Sequence, residues 1–454
     1  MGYRRYVSLI AGFGFVAAPP LARAQGPRTP LRLNVFDAPY NLEQGIDPLS
    51  MDQTLALVQS TYGVIHWGLG AVLPINEQSW RGFFSRLAVG GADVMMMYLP
   101  LGGSWLHEEW HRAVMAHRGV SSYNDVNDFP IGAEVIAVSQ ETDESLAAMK
   151  ANHPKDFIRM SAAGMESSHA LVVSLNKNTF FRGAETFDRA LMWIEELNPV
   201  FYMATCASKD SDDSTRRQEE LEGTSIRKRD FIGLDCNGWV YDLHRPDEPF
   251  EARGTHPSGV GIRRYRSHKD LSDEERSYLR TQATLSWINL LNPFLFGFDE
   301  FPMTSPTTGR ALGWNVGLGH DLLPFGYALS VRGFFKSKDI ETPQGTQGLF
   351  VCYYHYINKS RGFPGLEIEH RPLPLGDTQM ALGARVMVWQ QPKNLDFVQT
   401  AGAFGGLLSL RAYSNHFAAA SPYLEYTGKT DGWVVGEVSL ESAHAVRLGV
   451  EAVL

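Results

Sequence analysis

Two textures of apolar and polar residues divide the chain. From about residue 45 to 300, apolar positions recur three and four apart, as in SMDQTLALVQSTYGVIHWGLG, QSWRGFFSRLAVGGADVMMMY and ETFDRALMWIEELNPVFYMA. That spacing predicts helices with one buried stripe. Past about residue 310 the period drops to two. In GYALSVRGFF, Tyr327, Leu329 and Val331 alternate with Ala328, Ser330 and Arg332, and in GLEIEHRP, Leu366 and Ile368 alternate with Glu367 and Glu369. The last run, HAVRLGVEAVL, sets His444, Val446, Leu448, Val450, Ala452 and Leu454 on one face. Ala445, Arg447, Gly449, Glu451 and Val453 fall on the other. Similar runs near 346–358, 379–390, 400–413, 420–428 and 432–440 bring the count to eight or nine. The charged stretch 207–230 lacks large apolar residues and predicts a solvated loop or a frayed helix, with a lid as the alternative.

Runs of roughly 9–12 residues match the length a tilted strand needs to cross a bilayer. Charged or small residues on one face and apolar ones on the other suit a closed barrel, polar inside and lipid-facing outside. Aromatics cluster near strand ends, at Tyr353–Tyr356, Trp389, Tyr423 and Trp433. A soluble sandwich with its apolar face turned inward would show the same alternation. An export signal, strands that run to the last residue and consecutive hairpins with no helix between them favour the spanning reading. The expected fold is therefore α+β and multidomain. A mainly helical domain over 25–305 would be followed by an antiparallel barrel of eight to ten strands over 306–454.

The export signal lies in MGYRRYVSLIAGFGFVAAPPLARAQ. Arg4 and Arg5 precede an apolar run from Tyr6 to Ala18, too short to span, and Ala22-Arg23-Ala24 offers a small-x-small cleavage site. Residues 1–24 thus read as a signal peptide. Cys206 and Cys236 could pair in an oxidising compartment, leaving Cys352 alone. The chain has 454 residues with 44% hydrophobic and 20% charged content, which excludes a disordered chain. A net charge of −9 argues against a nucleic-acid partner.

The chemistry concentrates in GGSWLHEEWHRAVMAHRG, residues 102–119. Ser104 can cap a helix starting at Trp105, and Gly119 can stop it. His107 and His111 are four apart, so both imidazoles project from one face a turn apart, a spacing that two ligands of one zinc ion need. Glu108 is angled toward the same place. It is suited to hydrogen-bond a water there and take its proton. A catalytic zinc wants a third protein ligand as well.

HEEWH has the form H-E-x-x-H and resembles the zinc metallopeptidase signature. His117 stands where the metzincin pattern has its third histidine. That pattern needs a glycine at its eighth position, occupied here by Val114, so a continuing helix would turn His117 away. Glu166, in RMSAAGMESSHALVV, resembles the gluzincin third ligand, a glutamate from a downstream helix. Ala162, Ala163 and Gly164 would let that helix come close. His169 could orient a ligand or stabilise an oxyanion, and His244 and His256 are further candidates for the latter. The segment RDFIGLDCNGWVYDL could line the cleft. The barrel-like half resembles bacterial outer-membrane proteins, which usually end in Phe where this chain has Leu454.

These resemblances imply a zinc hydrolase of the bacterial cell envelope, with Zn²⁺ on His107, His111 and Glu166 and Glu108 as general base. Its substrate would be a peptide or protein of the envelope. The catalytic domain would lie on the periplasmic side of an outer-membrane barrel in contact with lipid. Two alternatives remain: a pore or transporter with an incidental H-E-x-x-H, and a zinc hydrolase of lipid or cell-wall bonds.

Overall fold

A computed structural model describes residues 29–453, apart from 46, 76, 129–135, 184–187, 306–308 and 418–419. The expected signal peptide, 1–24, and Leu454 lie outside the described residues. The helices that position the site are α1 (Met51–Val72), α2 (Trp80–Met96), α3 (Gly103–His117), α4 (Asp143–Asn152), α5 (Pro154–Arg182), α6 (Asp188–Ala207), α7 (Asp210–Glu222), α8 (Asp235–His244) and α9 (Asp273–Leu285). None of them is long and apolar enough to cross a membrane. The charged stretch read as loop or frayed helix forms α7, whose Asp210, Asp212 and Asp213 lie in its first turn, where the helix dipole favours them.

One antiparallel sheet of ten strands receives the rest. These are β1 (Pro30–Ala38), β2 (Phe301–Thr304), β3 (Ala311–Leu323), β4 (Gly326–Thr342), β5 (Gly345–Ile357), β6 (Gly362–Pro374), β7 (Met380–Pro392), β8 (Gly402–Ser414), β9 (Ala420–Lys429) and β10 (Ala443–Val453). Neighbours follow chain order from β2 to β10, and β1 then pairs with β10, Pro30 facing Val453 and Ala38 facing Val446. Among the described residues no ladder joins β1 to β2, so the sheet is not closed.

The sheet takes β1 and β2 from the region expected to be helical, and one further expectation changes. The alternation LRLNVFD that forms β1 is isolated in sequence, and its partner is the far C-terminus. Residues 432–440 are not a strand. They belong to the connection between β9 and β10, where Gly432 and Gly436 take φ of 141° and 77°.

The two faces of the sheet differ as the alternation predicts. One carries buried or half-buried ions. Arg385 Nε lies 2.8 Å from Glu367, and Arg447 lies 3.0 Å from Glu437 and 3.1 Å from Asp37. The other exposes Val331, Tyr353, Leu366, Val388, Leu408, Leu424 and Leu448. A soluble sheet would hide the second face and wet the first.

Helix α5 lies along the polar face. Lys177 reaches Glu369 of β6 at 2.6 Å, His169 reaches Asp321 of β3 at 2.9 Å, and Arg182 pairs with Glu451 of β10. Strands from both halves of the sheet therefore curl around one helix, leaving a charged cavity of about 250 Å³ between α1, α5 and the strands.

The free edge of β1 is covered by α1. Ser60 Oγ accepts from the Arg32 amide at 2.7 Å and donates to the Arg32 carbonyl at 2.8 Å, which satisfies backbone groups that an edge strand leaves unpaired. The connections at the Pro30/Val453 end are short, 343–344 and 375–379 among them. The long insertions, 39–300, 393–401 and 430–442, all leave from the opposite end.

Candidate metal centre

Helix α3 begins two residues earlier than the Ser104 cap would set it. Gly102 is its N-cap, without a side-chain bond, and Gly119 at φ 73° ends it. Gly102 is sterically required, since a Cβ there would sit 1.7 Å from the Met96 carbonyl oxygen, and a Cβ at Gly103 would displace the Glu195 carboxylate. Within α3, Trp105, Leu106, Trp110, Ala113, Val114 and Met115 are buried. The helix is thus anchored by its apolar residues, and its imidazoles are turned toward α5 and α8.

Three side chains meet there. Asp235 Oδ2 lies 2.9 Å from His107 Nε2 and 3.3 Å from His111 Nε2. Ligand atoms of His107, Glu108 and His111 all lie within 4.8 Å of one another. The adjacent glutamate plays a different part: Glu109 pairs with Arg112 at 2.6 Å and accepts from Asn124 at 2.8 Å, so it holds the helix in place.

Several contacts fix this arrangement. Gly164 lets α5 touch α3, since a Cβ there would lie 2.3 Å from His107 Nε2. His111 Nδ1 donates to the Met160 carbonyl of α5. In a neutral ring that bond would leave the lone pair on Nε2, as in metal-bound histidines whose other nitrogen is held by a carbonyl. His111 Nε2 is fully buried and faces Asp235 Oδ2 at 3.3 Å without hydrogen-bond geometry. Asp235 opens α8, its amide donates to Tyr202 Oη at 2.9 Å, and the Cys206–Cys236 disulfide ties the next residue to the end of α6.

The charges press on one another. Burial works against ionisation of Asp235, but His111 and His107 outweigh it and hold its carboxyl below the ordinary range. Burial pushes Glu108 up to about 8, opposed by His107 and helped by Asp235. Asp230, buried beside Glu108 and Asp235, is pushed up as well. Of these three acids Asp235 alone is held in its charged form, and a divalent cation beside it would be paired by that carboxylate. The donor set fits one. The carboxylate oxygen lies 2.9 and 3.3 Å from the two nitrogens, near the edge of a tetrahedron with bonds of about 2.0–2.1 Å.

The structure does not bring Glu166 into this group. Its carboxylate accepts from Arg159 at 3.0 Å, the Gly436 amide at 3.0 Å and Trp433 Nε1 at 3.2 Å. Gly164 faces His107, and a residue two positions on points to the other side of the helix. Nor does His117 reach the site. Helix α3 continues through it, which carries it about 15 Å along the axis, beside Tyr40. His169 is bonded to Asp321 and to Asn289, at 2.9 and 2.8 Å. His244 donates to the Val240 carbonyl and His256 is bonded to Ser258.

Asp235 is the residue that sequence reasoning missed. It stands 128 positions beyond His107, in the segment noted only as rich in Asp and aromatics. Its one local signal is the neighbouring Cys236, whose bond to Cys206 pins the segment.

No family model matches the chain, and no curated protein matches it. Among solved structures, the NanC porin in a rhombohedral crystal form is similar at a TM-score of 0.24 and 9% identity, over 34% of this chain and 76% of that one. Likeness at that level has no bearing on fold or activity. What the chain can do is read from its own geometry, a candidate metal centre at the end of a curled ten-stranded sheet.

Proposed function

We propose that the protein is a zinc-dependent hydrolase of the bacterial envelope, carried by a membrane-spanning barrel. The observation behind the first half is the shared Asp235 oxygen between His107 and His111, with Glu108 alongside. His107, His111 and Asp235 would hold the ion. A bound zinc supplies Lewis acidity and lowers the pKa of a coordinated water. Glu108, its raised pKa brought back down by a bound cation, would take a proton from the attacking water and pass it to the leaving group. The Met160 carbonyl keeps the His111 ring in register throughout, and Asp235 keeps both imidazoles turned inward.

A peptide bond is the preferred target, by the resemblance of HEEWH to the metallopeptidase signature. An amide or ester of lipid or cell wall is the alternative. The test compares wild type with Glu108→Gln on casein and on lipid substrates, with zinc measured in both. About one zinc per chain in each protein is expected, with turnover on casein lowered about 10²–10⁴-fold in the variant. Wild type without zinc would return the chain to the pore-or-transporter reading.

The second half rests on the reversed polarity of the sheet, apolar outside and ionic inside, which suits lipid around and charged side chains within. The longer connections of spanning barrels face the cell exterior and the short turns face the periplasm. Here the metal centre shares its end with 393–401 and 430–442. We therefore place it on the outer side, in preference to the periplasmic side expected from sequence. An impermeant maleimide applied to intact cells would label Arg216→Cys on α7 if so, and would spare it if the periplasmic placement holds.

A further inference from the structure

The outer face of the sheet is not the last uncovered apolar surface. Helices α1 and α2 form a hairpin whose outward side is almost free of charge. Beyond the capped edge of β1, α1 exposes Val64, Trp67 and Val72. On α2, Trp80, Phe84, Leu87 and Met95 are exposed at helical spacing, with Gly91 between them. Trp80 is 77% and Val72 75% accessible. A helix facing water would carry charge on that stripe.

The orientation is fixed from the inner side. Fully buried His66 of α1 lies 2.7 Å from Asp93 of α2 and 3.2 Å from Asp188 of α6, so three helices are tied together and the apolar stripe is held outward. The surface is also continuous with the sheet. A Cβ at Gly63 would be 3.6 Å from Leu31 Cδ2, so α1 abuts the outward-facing side of β1. Leu33 and Val35 of β1 and Val64 and Trp67 of α1 are exposed on the elements that meet at this contact. Charged residues return around the turn, at Glu77, Arg81 and Arg86.

We propose that the α1–α2 hairpin is embedded in lipid at the boundary of acyl chains and headgroups. It would extend the apolar belt over the interval where β1 and β2 do not pair. This rests on reading the sheet's outer face as lipid-facing. Lipid fits better than a protein partner because the stripe carries no charge and offers only indole N–H groups, which suit the headgroup boundary, and the polar turn matches an interfacial helix.

The test labels Phe84→Cys, and separately Met95→Cys, with an environment-sensitive fluorophore in the full chain reconstituted into phosphatidylcholine vesicles. Doxyl-labelled lipid is the quencher. Val388→Cys reports the sheet face and Arg216→Cys reports an aqueous helix. Labels at 84 and 95 are expected to be blue-shifted and to lose as large a share of their emission as the label at 388, while 216 keeps its own. Quenching at 388 with 84 and 95 behaving like 216 overturns the hairpin proposal and leaves the barrel reading intact. No quenching at 388 overturns both.

Discussion

Helices α3 and α5 each set histidine against carboxylate, and the two clusters are built to different ends. On α5, both ring nitrogens of His169 are satisfied, one by Asp321 and one by Asn289. Every donor has an acceptor, and the group pins the helix to β3. On α3, two imidazoles crowd one Asp235 oxygen, and the buried His111 Nε2 faces it at 3.3 Å without hydrogen-bond geometry. Two nitrogens beside one carboxylate oxygen are the set that, in the proposed function, would hold a cation. The same residue types make a fastener in one place and an open coordination set in the other.

Exchanging the two histidines for alanine gives the largest contrast. His111→Ala should abolish stoichiometric zinc binding, read by elemental analysis. His169→Ala should keep the metal and lose only about 1–3 kcal/mol of stability, read by denaturant unfolding in detergent. Equal metal loss in both variants would erase the distinction.

Glu166→Gln sharpens the same comparison for carboxylates. Arg159 and Glu166 are both buried at the β9–β10 connection, and removing one charge strands the other, at a cost of about 3–5 kcal/mol. Zinc content should not change. A smaller effect is expected at Gly164→Ala. The added methyl would press on the His107 ring and weaken zinc affinity about 10–100-fold, the range seen when a supporting contact of a metal ligand is lost. Competition with a chromogenic chelator measures it.

Local rules made much of this legible. Period-two alternation announced most strands, because one face is ionic and the other apolar, and every inward charge of HAVRLGVEAVL found its partner. It failed at 432–440, where Trp433 and Gly436 are drawn off to solvate Glu166. It also passed over β1, whose partner strand lies at the other end of the chain. The i, i+4 histidines were legible because helix geometry alone sets their common face. The third member was not, since nothing local distinguishes an Asp that opens α8 from any other helix-initiating acid. Tertiary closeness, supplied by Gly164, Tyr202 and the Cys206–Cys236 bond, selects Asp235 over Glu166. The small residues at 162–164 correctly foretold the close helix approach but not which carboxylate would benefit.

The central claim is that Asp235 completes the coordination set. Zinc per chain measured in purified Asp235→Ala, side by side with Glu166→Gln, tests it most directly. The account predicts that the first loses its zinc and the second retains about one ion. Retention in Asp235→Ala with loss in Glu166→Gln would contradict it.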